Sequence, residues 1–286
     1  MSVRLKSRPL QIPRAVTWTV NSRLADGTPW LRYAKLDAGY LARYPAADFL
    51  LGCRGDEVTC VKRKRATSLK TLRHLLLDQV LPIVLNLRGQ GALHATGILT
   101  AQGVCAFTGP AGTGKSTLAA SFLCAGYPSL GDDCLAITEN GRFLATPAYP
   151  GVRLWTDAAV ALAMDSAPSV PVADYSSKRR ILGRDLVCDF PSEPEPLARI
   201  YRISRQAEDS EPAALSIERL SPREAFLELL GATFPLDASD QQMLTRSFRF
   251  IERLVAAVPV LRLRIPNDLS ALPAVREAVL ADLQND

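Results

Sequence analysis

Residues 103–117 read Gly-Val-Cys-Ala-Phe-Thr-Gly-Pro-Ala-Gly-Thr-Gly-Lys-Ser-Thr, and no other stretch restricts the chain so tightly. Gly109, Gly114, Lys115 and Ser116 fit the spacing G-x-x-x-x-G-K-[ST] of a phosphate-binding loop. The flanks agree with that reading. Val104 to Phe107 is a short apolar run expected as a buried strand, and Leu118, Ala119, Phe122 and Leu123 recur at helical spacing up to a stop at Gly126. Glycines let successive backbone N–H groups turn toward a polyanion, and the helix N-terminus adds the positive end of its dipole. Gly109, Pro110, Ala111, Gly112, Thr113, Gly114, Lys115, Ser116 and Thr117 are therefore expected to wrap nucleotide phosphates. Lys115 would reach the β- and γ-phosphates, and the Ser116 hydroxyl would ligate Mg²⁺. A glycine-rich turn can match the spacing by chance; a match set between strand and helix is much harder to obtain that way.

Composition narrows the class. The 286 residues suffice for one large or two modest domains, and can bury a core without disulfide staples. Hydrophobic residues make up 48% and charged residues 22%, ordinary values for a globular chain. The net charge of +5 is a mild excess, too small to signal nucleic-acid binding; an anionic nucleotide explains part of it, and a weak acidic partner fits it as well. The cysteines Cys53, Cys60, Cys105, Cys124, Cys134 and Cys188 form no C-x-x-C pair, so free thiols in a reducing, cytoplasmic setting are expected. The basic N-terminus has no apolar run behind it, and no stretch reaches the about 18 apolar residues of a membrane span.

Before the loop, residues 1–66 read as short strands and turns. Val16 to Val20 alternates, Asp26-Gly27 marks a turn, and Arg54-Gly55-Asp56 joins two strands into a hairpin. Trp18, Trp30 and Phe49 are expected as core anchors. The run Lys62-Arg63-Lys64-Arg65 fits either a solvated turn or a substrate-docking patch. Ser68 opens a helix with a broad apolar face that Pro82 kinks or splits, and His74 within it reads as structural. A lobe boundary is placed at Gly89–Gly91, giving an N-terminal α+β lobe over 1–90 and a second domain over 91–286.

Beyond the boundary the pattern is α/β. Leu93 to Thr100 is expected as one strand bearing His94, and Asn140-Gly141 as the turn of a hairpin. A short helix is expected over Trp155 to Met164, and a long irregular segment over 165–196, punctuated by Pro168, Pro171 and Pro191. Ser221-Pro-Arg-Glu224 is a capping box with Pro at the first helical position. Further helices are expected over 238–257 and from Pro273, with a strand at Val260–Ile265 between them.

The pair Asp132-Asp133 follows the loop helix. One carboxylate can hold Mg²⁺, and the other can accept or orient a proton in phosphoryl transfer. A turn in which Asp serves only its backbone is the alternative.

Leu93-His94-Ala-Thr-Gly97, the glycine-rich loop, and Gly126-Tyr-Pro-Ser-Leu-Gly-Asp-Asp133, in this order, resemble the catalytic domain of HPr serine kinase/phosphorylase. The resemblance is specific over about 91–138, diffuse to about 265, and absent from 1–85. It implies a PEP carboxykinase/HPr kinase-like α/β fold, with a mixed sheet flanked by helices. It also implies an ATP- and Mg²⁺-dependent serine kinase in which Ser116, Asp132 and Asp133 hold metal. In that reading Asp132 and Asp133 serve the acceptor hydroxyl, and Lys115 and His94 complete the catalytic group. Without the resemblance, a strand histidine such as His94 is more often a satisfied core residue. The glycine-rich run with a Glu and an Arg-Gly that the family carries after the hairpin is not visible. Pro147 to Trp155 stands there instead, with Arg153 able to meet a phosphate. Lys178-Arg179-Arg180 fits a phosphate or substrate clamp as well as a solvated loop. Divergent members of the family phosphorylate a serine on a ribosomally made peptide, as in lasso-peptide pathways. A protein or peptide acceptor is thus implied, with homo-oligomers a family habit and no nucleic-acid or membrane partner. A nucleotide-sensing module and a small-molecule kinase are the alternatives.

Overall fold

The computed structural model describes residues 2–6, 16–23, 27–181, 190–205, 215–234 and 240–285. Two compact units are present: Met1–Gly91 with Ala173–Ser176 and Phe234–Phe248, and the remainder, Ala92–Val172, Ser177–Thr233 and Arg249–Asp286.

The first unit is built on six strands: β1 (Ser2–Lys6), β2 (Val20–Arg23), β3 (Pro29–Leu36), β4 (Gly39–Arg43), β5 (Ala47–Gly52) and β6 (Glu57–Lys62). They lie in the order β1-β6-β5-β4-β3-β2, a meander in which only β1 and β6 run parallel. The hairpin at Arg54-Gly55-Asp56 is present. The Val16–Val20 strand is not: pairing begins at Val20, because Tyr33 on β3 is the first residue opposite it. Asp26 of the expected Asp26-Gly27 turn, and Cys188, lie outside the described residues. Helix α1 (Leu69–Leu75) is capped by Ser68, whose hydroxyl accepts from the Thr71 N–H. A π-helical turn over Leu76–Val80 joins it to α2 (Leu81–Leu87), with Pro82 in the first turn, where its missing N–H costs nothing. Leu72, Leu75, Ile83 and Val84 pack with Tyr33, Phe49 and Leu51 into one core. Of the three expected anchors only Phe49 is fully buried; Trp18 and Trp30 are half-buried. His74 is buried, with Nδ1 2.7 Å from Asp78 Oδ2.

The second unit begins with β7 (Gly91–Leu93), β8 (Ala95–Thr100), β9 (Gly103–Thr108), α3 (Lys115–Cys124), β10 (Ser129–Gly131), β11 (Leu135–Glu139), β12 (Phe143–Thr146) and β13 (Val152–Leu154). It continues with α4 (Thr156–Ala161), β14 (Ser169–Ala173), β15 (Ser176–Ile181), β16 (Glu195–Arg205), β17 (Ser216–Arg219), α5 (Pro222–Gly231), α6 (Gln241–Ala257), β18 (Val260–Ile265) and α7 (Leu272–Gln284). Strand β14 and helix α6 each run across the division between the units.

A nine-stranded mixed sheet is ordered β10-β8-β9-β16-β12-β11-β7, with β18 parallel to β16 and β17 antiparallel to β18. Strand β9 pairs parallel with β16 and antiparallel with β8. It is buried throughout, because side chains of both faces enter cores. Cys105 and Phe107 join residues of α3 and α7 on one face, while Val104 and Ala106 join residues of α5 and α6 on the other. The expected single strand over Leu93–Thr100 is two strands broken at His94. There the main chain leaves the ladder, and the His94 N–H donates to the Ala232 carbonyl at 2.7 Å. The expected irregular segment over 165–196 contains β14 and β15. β-branched Val170, Val172 and Ile181 suit that hairpin, and the prolines hid it. Helix α4 is shorter than expected, ending at Ala161.

Candidate functional site

Strand β9 feeds directly into the glycine-rich loop and then α3, with Gly114 at the N-cap in a left-handed conformation at φ 97°. At Gly109, φ is 140° and a Cβ would lie 2.8 Å from the Ile203 carbonyl oxygen, so only glycine fits where the loop leaves the sheet. Pro110, Ala111 and Gly112 are exposed, and Thr113, Gly114, Ser116 and Thr117 are partly so. The first amides of α3 have no partner within the helix and form its electropositive end. Lys115 is buried, and its Nζ donates to the carbonyl oxygens of Gly109 and Pro110 at 2.7 and 3.1 Å. An ammonium has three N–H donors, so one remains after those two bonds. Burial pulls the Lys115 pKa below the ordinary lysine value, against the attraction of Asp133 and Asp132.

The two adjacent carboxylates have different surroundings. Strand β10 pairs with β8 so that Gly131 faces Gly97, which brings Asp132 beside Thr96. Asp132 is fully buried. Its Oδ1 accepts from the Thr96 hydroxyl at 2.6 Å and the Ser116 hydroxyl at 2.9 Å. Its Oδ2 accepts from the Arg153 N–H at 2.9 Å, with Arg153 Nε at 3.5 Å. Its carbonyl oxygen accepts from the Tyr149 hydroxyl and from Arg153 Nη2, both at 2.9 Å. Asp133 instead adopts a left-handed φ of 67°, a conformation Asp tolerates better than most side chains. That turn sends its carboxylate into an open cleft, where 23% of the side chain is exposed. There its Oδ2 pairs with Arg153 Nη2, and its Oδ1 lies 4.0 Å from His94 Nε2.

His94 sits below the ordinary histidine pKa because burial disfavours its charged form, a shift that the Asp133 carboxylate opposes. That shift favours the neutral imidazole. The cleft holds about 380 Å³ and is lined by His94, Lys115, Ser116, Asp133, Trp155 and Lys178 among others.

The loop, Lys115, Ser116, Asp132, Asp133, His94 and Arg153, read from the sequence as site residues, therefore meet here. Arg153 does so as a buried brace on the two carboxylates, 2% exposed. The basic run divides. Lys178 lines the cleft, with Nζ 5.4 Å from the Trp155 ring centroid. Arg179 donates to the Ser169 hydroxyl and carbonyl oxygens, and Arg180 lies over Tyr149. Thr96, Tyr149 and Trp155 were missed as site residues, since each acts through a tertiary neighbour that carries no local spacing signal.

No group of three or more His, Cys, Asp or Glu side chains able to hold a metal occurs among the described residues. Mg²⁺ differs from metals held in all-protein cages: it is commonly bound by one or two protein oxygens and completed by phosphates and water. Ser116 and Asp133 fit that mode. Asp132, its oxygens already engaged by Thr96, Ser116 and Arg153, fits an indirect role through Ser116.

No protein-family model and no curated protein matches the chain. Among solved structures it is similar to the Hpr(Ser) kinase/phosphatase from Coxiella burnetii, at 12% identity over 68% of this chain and 97% of that one, with a TM-score of 0.33. A likeness of that size carries no functional conclusion. No helix among the described residues is long and apolar enough to cross a membrane.

Proposed function

We propose that the second unit is an ATP- and Mg²⁺-dependent kinase that transfers the γ-phosphate to a serine hydroxyl of a protein or peptide. The observation that carries this reading is the bond from Ser116, in the glycine-rich loop, to buried Asp132, with Asp133 next along the chain opening into the same cleft. The loop is then a phosphate-binding loop whose backbone amides and Lys115 hold the triphosphate. Mg²⁺, held by Ser116 and Asp133 together with the phosphates, would neutralise charge on the transferring group.

The protein's own residues supply the rest. The acceptor oxygen attacks the γ-phosphorus, the bond from that phosphorus to the β,γ-bridging oxygen breaks, ADP leaves, and the acceptor proton passes to the Asp133 carboxylate. Arg153 fixes the orientation of that carboxylate. Neutral His94 beside it accepts or donates a hydrogen bond without adding positive charge to the base. Lys115 and the loop amides meet the charge that grows on the β-phosphate side.

The test is transfer of labelled phosphate from ATP to candidate serine peptides, beside equilibrium ATP binding. Asp133→Asn should keep the affinity for ATP measured without Mg²⁺ and lose about 10²–10⁴-fold in transfer, the range of a general base. Lys115→Ala should weaken both. Unchanged transfer by Asp133→Asn would overturn the kinase assignment. Tight ATP binding by the wild type with no transfer to any acceptor would leave a nucleotide-sensing module.

A further inference from the structure

A second cavity, of about 440 Å³, lies within the first unit at the end of the six-stranded sheet. It is walled by Trp30 and Arg32 from β3, Arg43 at the end of β4, Tyr44 in the following turn, and Arg63 and Lys64 just after β6. The last two belong to the basic run that the sequence left open between a solvated turn and a docking patch.

Four cations converge there. Arg43 donates both arms of its guanidinium to Asp48 at 2.9 and 3.0 Å, and Arg63 Nε lies 3.7 Å from the same carboxylate. Asp48 therefore serves two arginines. Arg32 and Lys64 have no carboxylate partner among the described residues. Moreover, Arg32 and Arg43 stand directly opposite each other across β3 and β4, a like-charge pair that destabilises a sheet. The Trp18 ring lies against both guanidiniums, at 4.0 and 5.3 Å, and offsets part of that cost.

Two donors in the same wall are unsatisfied. Arg32 Nε and the hydroxyl of fully buried Tyr44 are shielded from solvent and have no hydrogen-bond partner among the described residues. Such groups are costly unless an acceptor arrives. Burial raises the Tyr44 pKa far above the ordinary value, so the phenol stays a neutral donor.

We propose that this cavity binds an acidic peptide segment, its side-chain carboxylates taken by the Arg32 guanidinium and Lys64. Guanidinium edges on strands suit the planar carboxylate. The cavity also takes Pro29 and Pro45 into its lining, and these have no N–H to give. Two of its nine lining residues therefore add nothing to an amide cradle of the kind proposed for phosphate in the second unit. The half-buried Trp30 ring offers an apolar wall to the peptide's methylenes, and the volume exceeds what a lone inorganic anion would fill. This inference stands apart from the nucleotide reading, since it uses none of the same residues.

The experiment is fluorescence anisotropy of labelled octaglutamate with the full chain at low salt, with octaglutamine as the neutral probe. Saturable binding of octaglutamate alone is expected. Arg32→Gln and Lys64→Gln should each weaken it by about tenfold, the scale of one charge-assisted bond. Exposed Arg142→Gln should leave it unchanged. Lys64 is exposed, so its variant reports on binding even if a change at Arg32 disturbs the sheet. Affinity unaltered by both Arg32→Gln and Lys64→Gln, or equal binding of octaglutamine, would overturn the proposal. So would inorganic phosphate or ATP displacing the peptide while binding through Arg32 themselves.

Discussion

The two cavities are alike in size, at about 440 and 380 Å³, and both are lined by cations, yet they are held in opposite ways. In the second unit the cleft is set by backbone: a left-handed Gly114, a Gly109 that excludes a Cβ, and an Asp132 whose oxygens are all engaged. In the first unit the cavity is set by side chains of strand ends and the turns beside them, and two donors in its wall have no acceptor among the described residues. The contrast shows that a site can be integral to its fold or merely carried by it. Substitutions should distinguish the two cases.

The largest expected effect is at Asp132. Asp132→Ala leaves the buried Arg153 N–H and the Thr96 and Ser116 hydroxyls without their acceptor, and removes one of the two carboxylates beside the Arg153 guanidinium, at a cost of about 3–5 kcal/mol in urea unfolding. An unfolding midpoint left unchanged would show that the cleft is not integral to the second unit. Next, Gly109→Ala combines a forbidden φ with a clash against the Ile203 carbonyl, and should cost about 1–3 kcal/mol and weaken ATP binding. Full ATP affinity in this variant would mean that the loop geometry is not needed for the ligand.

Arg32→Gln in the first unit should move stability by no more than about 0.5 kcal/mol, in either direction, because it relieves the facing Arg43. A large loss there would erase the contrast and make Arg32 a structural residue.

The smallest effect concerns pH. Burial holds His94 below the ordinary 6.5 in the folded chain, and unfolding restores it. The unfolded chain thus binds more protons below that pH, so the stability due to neutral His94 is present above about 6.5 and lost as pH falls. His94→Gln should flatten that part of the stability profile; an unchanged profile would show that His94 is not held neutral by the fold.

Local chemistry determined a good deal of this molecule. The strand–loop–helix around Lys115 was legible because glycine spacing and flanking apolar runs act within about 20 residues. So were the Ser68 cap, the Ser221–Glu224 capping box and the Asn140-Gly141 hairpin, each a bond or turn between near neighbours. Propensity failed where distant partners decide. The break at His94 depends on a bond to Ala232, and the hairpin of β14 and β15 forms in a segment whose prolines argued against it. The sequence left open which of Asp132 and Asp133 holds metal and which takes the proton. The left-handed turn at Asp133, together with Thr96, Ser116 and Arg153 closing around Asp132, made one carboxylate a buried strut and left the other to face the cleft. The residues of a site are thus written locally, but their roles were assigned by burial and by partners arriving from β8, α3 and β13, which only the tertiary structure brings together.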